Sequence, residues 1–150
     1  MRVRCQIALF VLLLASLAFG KAESLEELKS HADTAHGGDQ ARYCIEYAHA
    51  ELEHANDLFT KGDVDQAQAA VNEVMDYVRK GADAAKSSGK RLKQTEIELR
   101  KLEKRMKDIG ASLNLDDRPP VMKSVDEIEQ VRAGLLAAMF GERAEPKGKS

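Results

Sequence analysis

Apolar residues recur every three or four positions along most of the chain. One such stripe comprises Leu25, Leu28, Ala32 and Ala35, and a second stripe runs through residues 41–59. This spacing places side chains on one face of an α-helix, and no segment alternates apolar and polar residues as a β-strand does. The pattern therefore predicts an all-α protein, a small helical bundle or hairpin.

Residues that cap helices stand at several predicted ends. Ser24 with Glu27, and Ser124 with Glu127, have the spacing of a capping box. The glycine pair at 37–38 predicts the end of the first helix, since glycine readily takes the left-handed conformation there. By the same reasoning a helix ends at residues 61–62, and Asp39 and Asp63 are the expected caps of the helices that follow.

The longest stripe runs from residue 64 to residue 109 and keeps a heptad phase throughout. Its members are Val64, Ala67, Val71, Val74, Val78, Gly81, Ala85, Ser88, Leu92, Thr95, Leu99, Leu102, Met106 and Ile109. Steps of three and four in this order are typical of a coiled coil. We predict one long helix here. The alternative is a tight turn at residues 87–89 that returns 90–109 onto 64–86.

The first twenty residues predict a secretory signal peptide. Arg2 and Arg4 precede an uncharged run, residues 7–19, that is shorter than the roughly 20 residues of a membrane-spanning helix. Small residues follow at 18 and 20, so we expect cleavage near Gly20 and export to the bacterial periplasm or beyond. An uncleaved membrane anchor is the alternative.

The expected organisation has five parts. They are a signal peptide (1–20), a helical hairpin and coiled-coil region (21–109), a linker (110–123), a C-terminal amphipathic helix (124–141) and a disordered tail (142–150). The linker assignment rests on Pro119-Pro120, because proline pairs interrupt regular structure.

The segment 55–74 resembles the middle of a tetratricopeptide unit, as in small exported helical proteins of unknown function. The residues that carry the resemblance are Ala55, Leu58, Gly62-Asp63, Ala67, Val71 and Val74. The resemblance implies one helix-turn-helix with closely packed helices and glycine in the turn. It covers about 20 residues of a 34-residue repeat and there is no second copy, so it implies no peptide-binding groove.

Four histidines within residues 31–54 are the candidate metal ligands. Glu46 with His49 matches the Glu-x-x-His pattern of di-metal bundles, which also requires a second such pair on another helix. A mixed site using His31, His36, Glu46 and His49 is the metal-binding hypothesis. The simpler interpretation is a solvated helix surface, and we expect no metal and no cofactor.

Charge is divided between two segments. Residues 39–78 carry nine acids and two bases, whereas residues 86–107 carry nine bases and three acids. Oppositely charged helices that pack together explain this division. The alternative is a basic face, 86–107, that meets anionic lipid or an acidic partner.

Motifs for catalysis are missing from the sequence. The chain has no phosphate-binding glycine loop, no Gly-x-Ser-x-Gly and no Cys-x-x-Cys. Cys44 lies on the helical stripe, which indicates a buried thiol, with a disulfide-linked dimer as the alternative. Aromatic residues are only 5 %, which argues against nucleic-acid stacking.

These observations predict an exported, non-enzymatic helical protein that acts through protein association or self-association. The expected contact is the long stripe, through Val64, Val71, Val74, Val78, Leu92, Leu99, Leu102 and Met106. The alternatives are a metal-binding bundle and a chaperone-like periplasmic clamp with a basic face.

Overall fold

A computed structural model describes residues 23–141. These residues form five helices and no strand, which confirms the all-α prediction. The helices are α1 (Leu25–Thr34), α2 (Gly37–Lys61), α3 (Val64–Ser88), α4 (Leu92–Ser112) and α5 (Arg118–Gly141). The predicted signal peptide (1–20) and the whole predicted tail (142–150) lie outside the described residues.

Helices α2 to α5 form a four-helix bundle in which consecutive helices run antiparallel. The α2/α3 hairpin has the most extensive interface, α4 and α5 form the second pair, and α2 packs on α4 while α3 packs on α5. Helices α2 and α4 run parallel, because Gly38 lies beside Lys90 near their starts and Glu53 meets Arg105 further along. Arg79 of α3 meets Glu127 of α5.

The prediction of one long helix over 64–109 is wrong. Helix α3 ends at Ser88, Gly89 takes the left-handed conformation with φ +64°, and Arg91 follows with φ +62°. The chain therefore turns after Ser88, close to where the alternative placed the turn, but α4 packs on α5 and α2 more than it returns onto α3. The heptad phase continues across the turn because both helices present their stripes to the same core, where Val74, Val78, Leu99 and other stripe residues are buried.

The second predicted capping box and the predicted linker are also corrected. Helix α5 begins at Arg118, so Pro119 and Pro120 occupy its first turn. Backbone N–H groups of the first turn make no hydrogen bond within the helix, so proline is tolerated there. Ser124 is buried within the helix and donates to the Pro120 carbonyl. Arg118 caps the end of α4 by donating to the carbonyls of residues 110, 111 and 113.

The other predicted helix ends and caps agree only partly with the structure. Ser24 and Glu27 form the capping box at the start of α1. Helix α1 ends before the glycine pair, however, and Gly37 begins α2, so that Asp39 lies in the first turn instead of at the cap. Asp63 precedes α3 but its side chain makes no capping hydrogen bond.

Helix α1 covers one side of the α2/α3 hairpin. Two polar contacts hold it there: Lys29 pairs with Glu73, and Asp33 accepts hydrogen bonds from Tyr77 and Lys80. The backbone of α1 also lies over Cys44, whose Sγ is 3.7 Å from the Ala32 carbonyl oxygen.

Cys44 is fully buried, as its place on the stripe predicted. Burial raises the pKa of its thiol to about 11, so the reactive thiolate is scarce at neutral pH. The described structure therefore gives Cys44 a packing role.

Candidate functional site

The four candidate metal residues lie at three separate places. The His31 ring stacks on Tyr43 with centroids 4.9 Å apart, and His36 precedes α2 at its exposed N-terminal end. Glu46 and His49 both line a pocket between α2 and α4. Within residues 23–141, no three His, Cys, Asp or Glu side chains converge in a way that could hold a metal ion.

The predicted contact stripe lies inside the bundle. Val71, Val74, Leu99, Leu102 and Met106 are each at most 1 % exposed. A residue buried in this way contacts its own chain and cannot meet a partner while the bundle is folded. An association surface has to be sought elsewhere.

One apolar groove is open on the outer side of the α4 and α5 pair. This α4/α5 groove has a volume of about 620 Å³. Its lining residues are Lys93, Glu96, Ile97, Arg100, Leu136, Met139 and Phe140. Phe140 is 61 % exposed, and the other exposed large apolar residue in the described part of the chain is Leu115, in the loop before α5.

The groove is lined by partly buried residues at its base and by residues that flank the buried stripes of α4 and α5. Lys93, Ile97 and Arg100 are spaced by four and three positions, so they share one face of α4 next to the buried stripe. Leu136 and Phe140 are likewise four apart on α5. The two faces meet because α4 and α5 pack antiparallel along the buried stripes.

An ion network beneath the groove fixes α4 to α5. Glu96, which is 3 % exposed, accepts hydrogen bonds from Arg132 of α5 and from Arg100, and Arg132 also donates to Glu103. Burial alone would raise the pKa of Glu96, but the hydrogen bonds from the two guanidinium groups outweigh it and hold the pKa below its ordinary value.

The rim of the groove is basic. Lys93 has no carboxylate within 4.0 Å among the described residues, while the Arg100 side chain is 64 % exposed beside its partner Glu96. Both cations belong to the segment 86–107 that the sequence identified as basic. The sequence analysis did not predict Ile97, Leu136 and Phe140 as site residues. The signal for Ile97 is that it is an apolar residue outside the heptad stripe.

The acidic and basic segments meet where α2 packs on α4. Arg105 donates two hydrogen bonds of 2.7 Å to the carboxylate of Glu53. This contact confirms part of the predicted pairing of the two segments. Other bases of α4 pair within their own helix, as Lys101 does with Glu98.

The pocket between α2 and α4 is smaller and more polar than the groove. This α2/α4 pocket has a volume of about 290 Å³. Its lining residues are Ala41, Arg42, Ile45, Glu46, His49, Arg91, Gln94, Thr95 and Glu98. Burial is the main cause that lowers the pKa of His49, so this imidazole is neutral at pH 7.

No protein-family model, no curated protein and no solved structure matches this chain. The resemblance of residues 55–74 to a tetratricopeptide unit therefore stays a prediction. None of the helices within residues 23–141 combines the length and apolar character needed to cross a membrane.

Proposed function

We propose that this chain is an exported, non-enzymatic helical protein that acts by binding a partner protein in the α4/α5 groove. The observation that carries the proposal is Phe140, a large apolar side chain that stays 61 % exposed at the edge of an open apolar groove. Exposed apolar surface that is rimmed by polar residues is typical of interaction sites.

The shape of the groove favours a helical partner segment. Two antiparallel helices leave a channel between them, and the side-chain ridge of a third helix fits such a channel. Apolar residues of the partner at positions i, i+3, i+4 and i+7 would contact Ile97, Leu136 and Phe140. A bilayer surface is flat and would be met less well by a concave site.

The charge of the rim favours an acidic partner. Lys93 and Arg100 stand seven residues apart on the same face of α4, about 10 Å along the helix axis. Carboxylates one or two turns apart on the partner helix would lie opposite them. Complementary charge of this kind speeds association and excludes basic partners.

Export is supported by the sequence of residues 1–20, with two arginines followed by an uncharged apolar run of signal-peptide length. Cleavage after this run leaves the whole described bundle in the mature protein.

The test uses a model peptide as the probe. It is an amphipathic helix of about 18 residues, or five turns, with leucine on one face and glutamate on its flanks. A matched peptide carries lysine in place of glutamate. We expect fluorescence anisotropy to show micromolar binding of the acidic peptide, weakened by salt because the rim charges are solvent-exposed.

The variant Phe140→Ser should weaken binding by about tenfold or more, since burying an aromatic side chain contributes about 1.5–3 kcal/mol. Leu115→Ser is the matched control, because it also removes an exposed apolar residue but lies outside the groove. Equal binding of the two peptides, binding of anionic vesicles in place of the acidic peptide, or no effect of Phe140→Ser would contradict the proposal.

A further inference from the structure

The α2/α4 pocket has opposite electrostatic character at its two ends. Helices α2 and α4 run parallel and begin side by side, since a Cβ placed on Gly38 would lie 3.1 Å from Lys90 Cβ. The residues that precede the two helices, His36 and Arg91, make no side-chain capping hydrogen bond. The positive ends of two helix dipoles therefore lie together at this end.

Two guanidinium groups add to the positive end. Arg91 and Arg42 both line the pocket there. Arg42 stacks on Tyr43 and one of its Nη atoms is 3.2 Å from Glu46, which holds the side chain in place and leaves its other donors available. A carboxylate is the group that matches a guanidinium group.

The other end of the pocket offers two acceptor atoms without a donor. His49 Nε2 is buried and has no hydrogen-bond partner in the described structure. It faces Glu98 Oε2 at 3.8 Å, beyond hydrogen-bond distance, while Glu98 Oε1 already accepts from Gln94 and Lys101. An ammonium group in the pocket can donate to Glu98 Oε2, and a rotation of the His49 ring, whose side chain is 33 % exposed, would bring Nε2 within its reach as well.

The spacing of the two ends sets the length of the ligand. Arg91 and Glu98 are seven residues apart on α4, which corresponds to about 10 Å between their Cα atoms. An extended dipeptide spans about 7 Å, and the two inward side chains can close the remainder. A single α-amino acid spans about half the length of a dipeptide, so the spacing favours the dipeptide. Ala41 and Ile45 provide apolar surface for small side chains.

We propose that the α2/α4 pocket binds a zwitterionic dipeptide, with its carboxylate at Arg42 and Arg91 and its ammonium between His49 and Glu98. The pocket holds opposed charges at a fixed separation over an apolar floor, which is the chemistry that such a ligand presents. This inference goes beyond the proposed protein association and uses a different surface.

The test measures binding by titration calorimetry on the full chain, expressed from Met1 and purified as the host processes it. The probes are L-alanyl-L-alanine, its N-acetyl derivative, its C-terminal amide and free alanine. We expect the dipeptide to bind and each of the other three probes to bind at least about tenfold more weakly, which is the loss of one charge-assisted contact.

Two variants test which end of the pocket binds the carboxylate and which end binds the ammonium group of the dipeptide. Arg91→Gly suits the positive φ of that position, so it removes the guanidinium without straining the backbone. It should reduce the preference for the free dipeptide over its amide, because Arg42 alone remains at that end, and it should keep the preference over the N-acetyl form. Glu98→Gln should do the reverse. Lys104→Gln, an exposed change on α4 outside the pocket, should alter neither preference.

Three results would overturn the inference. They are no heat with millimolar dialanine, equal binding of the free and blocked dipeptides, and variants that weaken binding without changing either preference. Phe140→Ser lies in the groove and should leave dialanine binding intact, so a failure of this inference is separable from a failure of the proposed function.

Discussion

At the scale of single residues, small side chains decide how closely α2 and α3 approach. Gly81 of α3 lies against α2, where an added Cβ would be 3.0 Å from Cys44 Cβ and 3.1 Å from Ile45 Cδ1. Cys44 Cβ is fixed to the backbone and cannot move away by changing rotamer. Gly81 therefore permits the close hairpin at the expense of helix propensity.

Gly81→Ala should lower the free energy of unfolding. Overpacking of this kind costs ~1–3 kcal/mol, which outweighs or cancels the ~1 kcal/mol that alanine gains over glycine in a helix. Gly134→Ala is the matched control, because nothing lies within 4 Å of the added Cβ in α5 and only the helix gain remains. Urea unfolding of both variants checks this, and a stabilised Gly81→Ala would show that the hairpin is loosely packed.

Two identical residue patterns show how far a helix cap can be predicted from sequence alone. Ser24 with Glu27 and Ser124 with Glu127 have the same spacing, yet only the first pair caps a helix. The difference arises because α5 starts six residues earlier, at Arg118, whose guanidinium binds the end of α4. That contact depends on the fold and leaves no local signal.

At the scale of elements, polar side chains help to hold α1 on the α2/α3 hairpin. Asp33 takes hydrogen bonds from Lys80 and Tyr77, and Glu73 takes them from Lys29 and Tyr47. Hydrogen bonds from the lysines are the first cause that lowers the pKa of both carboxyls. Their stabilisation is therefore present above the ordinary pKa values and is lost as the pH falls through the lowered ones.

Asp33→Asn should loosen α1 and expose the thiol beneath it. In a Cys5→Ser background at neutral pH, Cys44 should react faster with a disulfide reagent, because the backbone of α1 covers its Sγ. Asp83→Asn, which removes an exposed carboxylate paired with Lys86, is the control. The parent Cys5→Ser chain should show the same acceleration with 4,4′-dithiodipyridine only in strong acid, where the carboxylates that hold α1 are protonated. An unchanged rate in Asp33→Asn would show that apolar packing alone holds α1.

At the scale of the whole molecule, the long heptad stripe closes on itself within one chain. The turn at Gly89 places the two halves of the stripe in one core, where Val74, Leu99, Leu102 and Met106 are fully buried. Because these side chains are buried within one chain, they cannot form a coiled coil with a second chain while the bundle is folded. The proposed partner contact is for this reason assigned to the α4/α5 groove, which the core leaves open.

Leu99→Ala should destabilise the bundle without changing its molecular mass. Truncating a buried leucine costs ~2–5 kcal/mol, because a cavity remains in the core. Light scattering after size-exclusion chromatography gives the mass, and denaturant unfolding gives the free energy. A parent chain that is a dimer and a Leu99→Ala variant that is a folded monomer would place this stripe between chains instead.

The sequence by itself determined that the described chain is helical, that one face of each helix is apolar and that Cys44 lies inside. These features follow from the spacing of residues along one helix, which is local information. Only the tertiary structure decided that the long stripe turns, which faces stay open and which polar side chains meet across helices. The reason is that a heptad stripe buries equally well against a second chain or against its own continuation, and the choice rests on the turn at Gly89 and on contacts between residues far apart in sequence, such as Arg132 with Glu96.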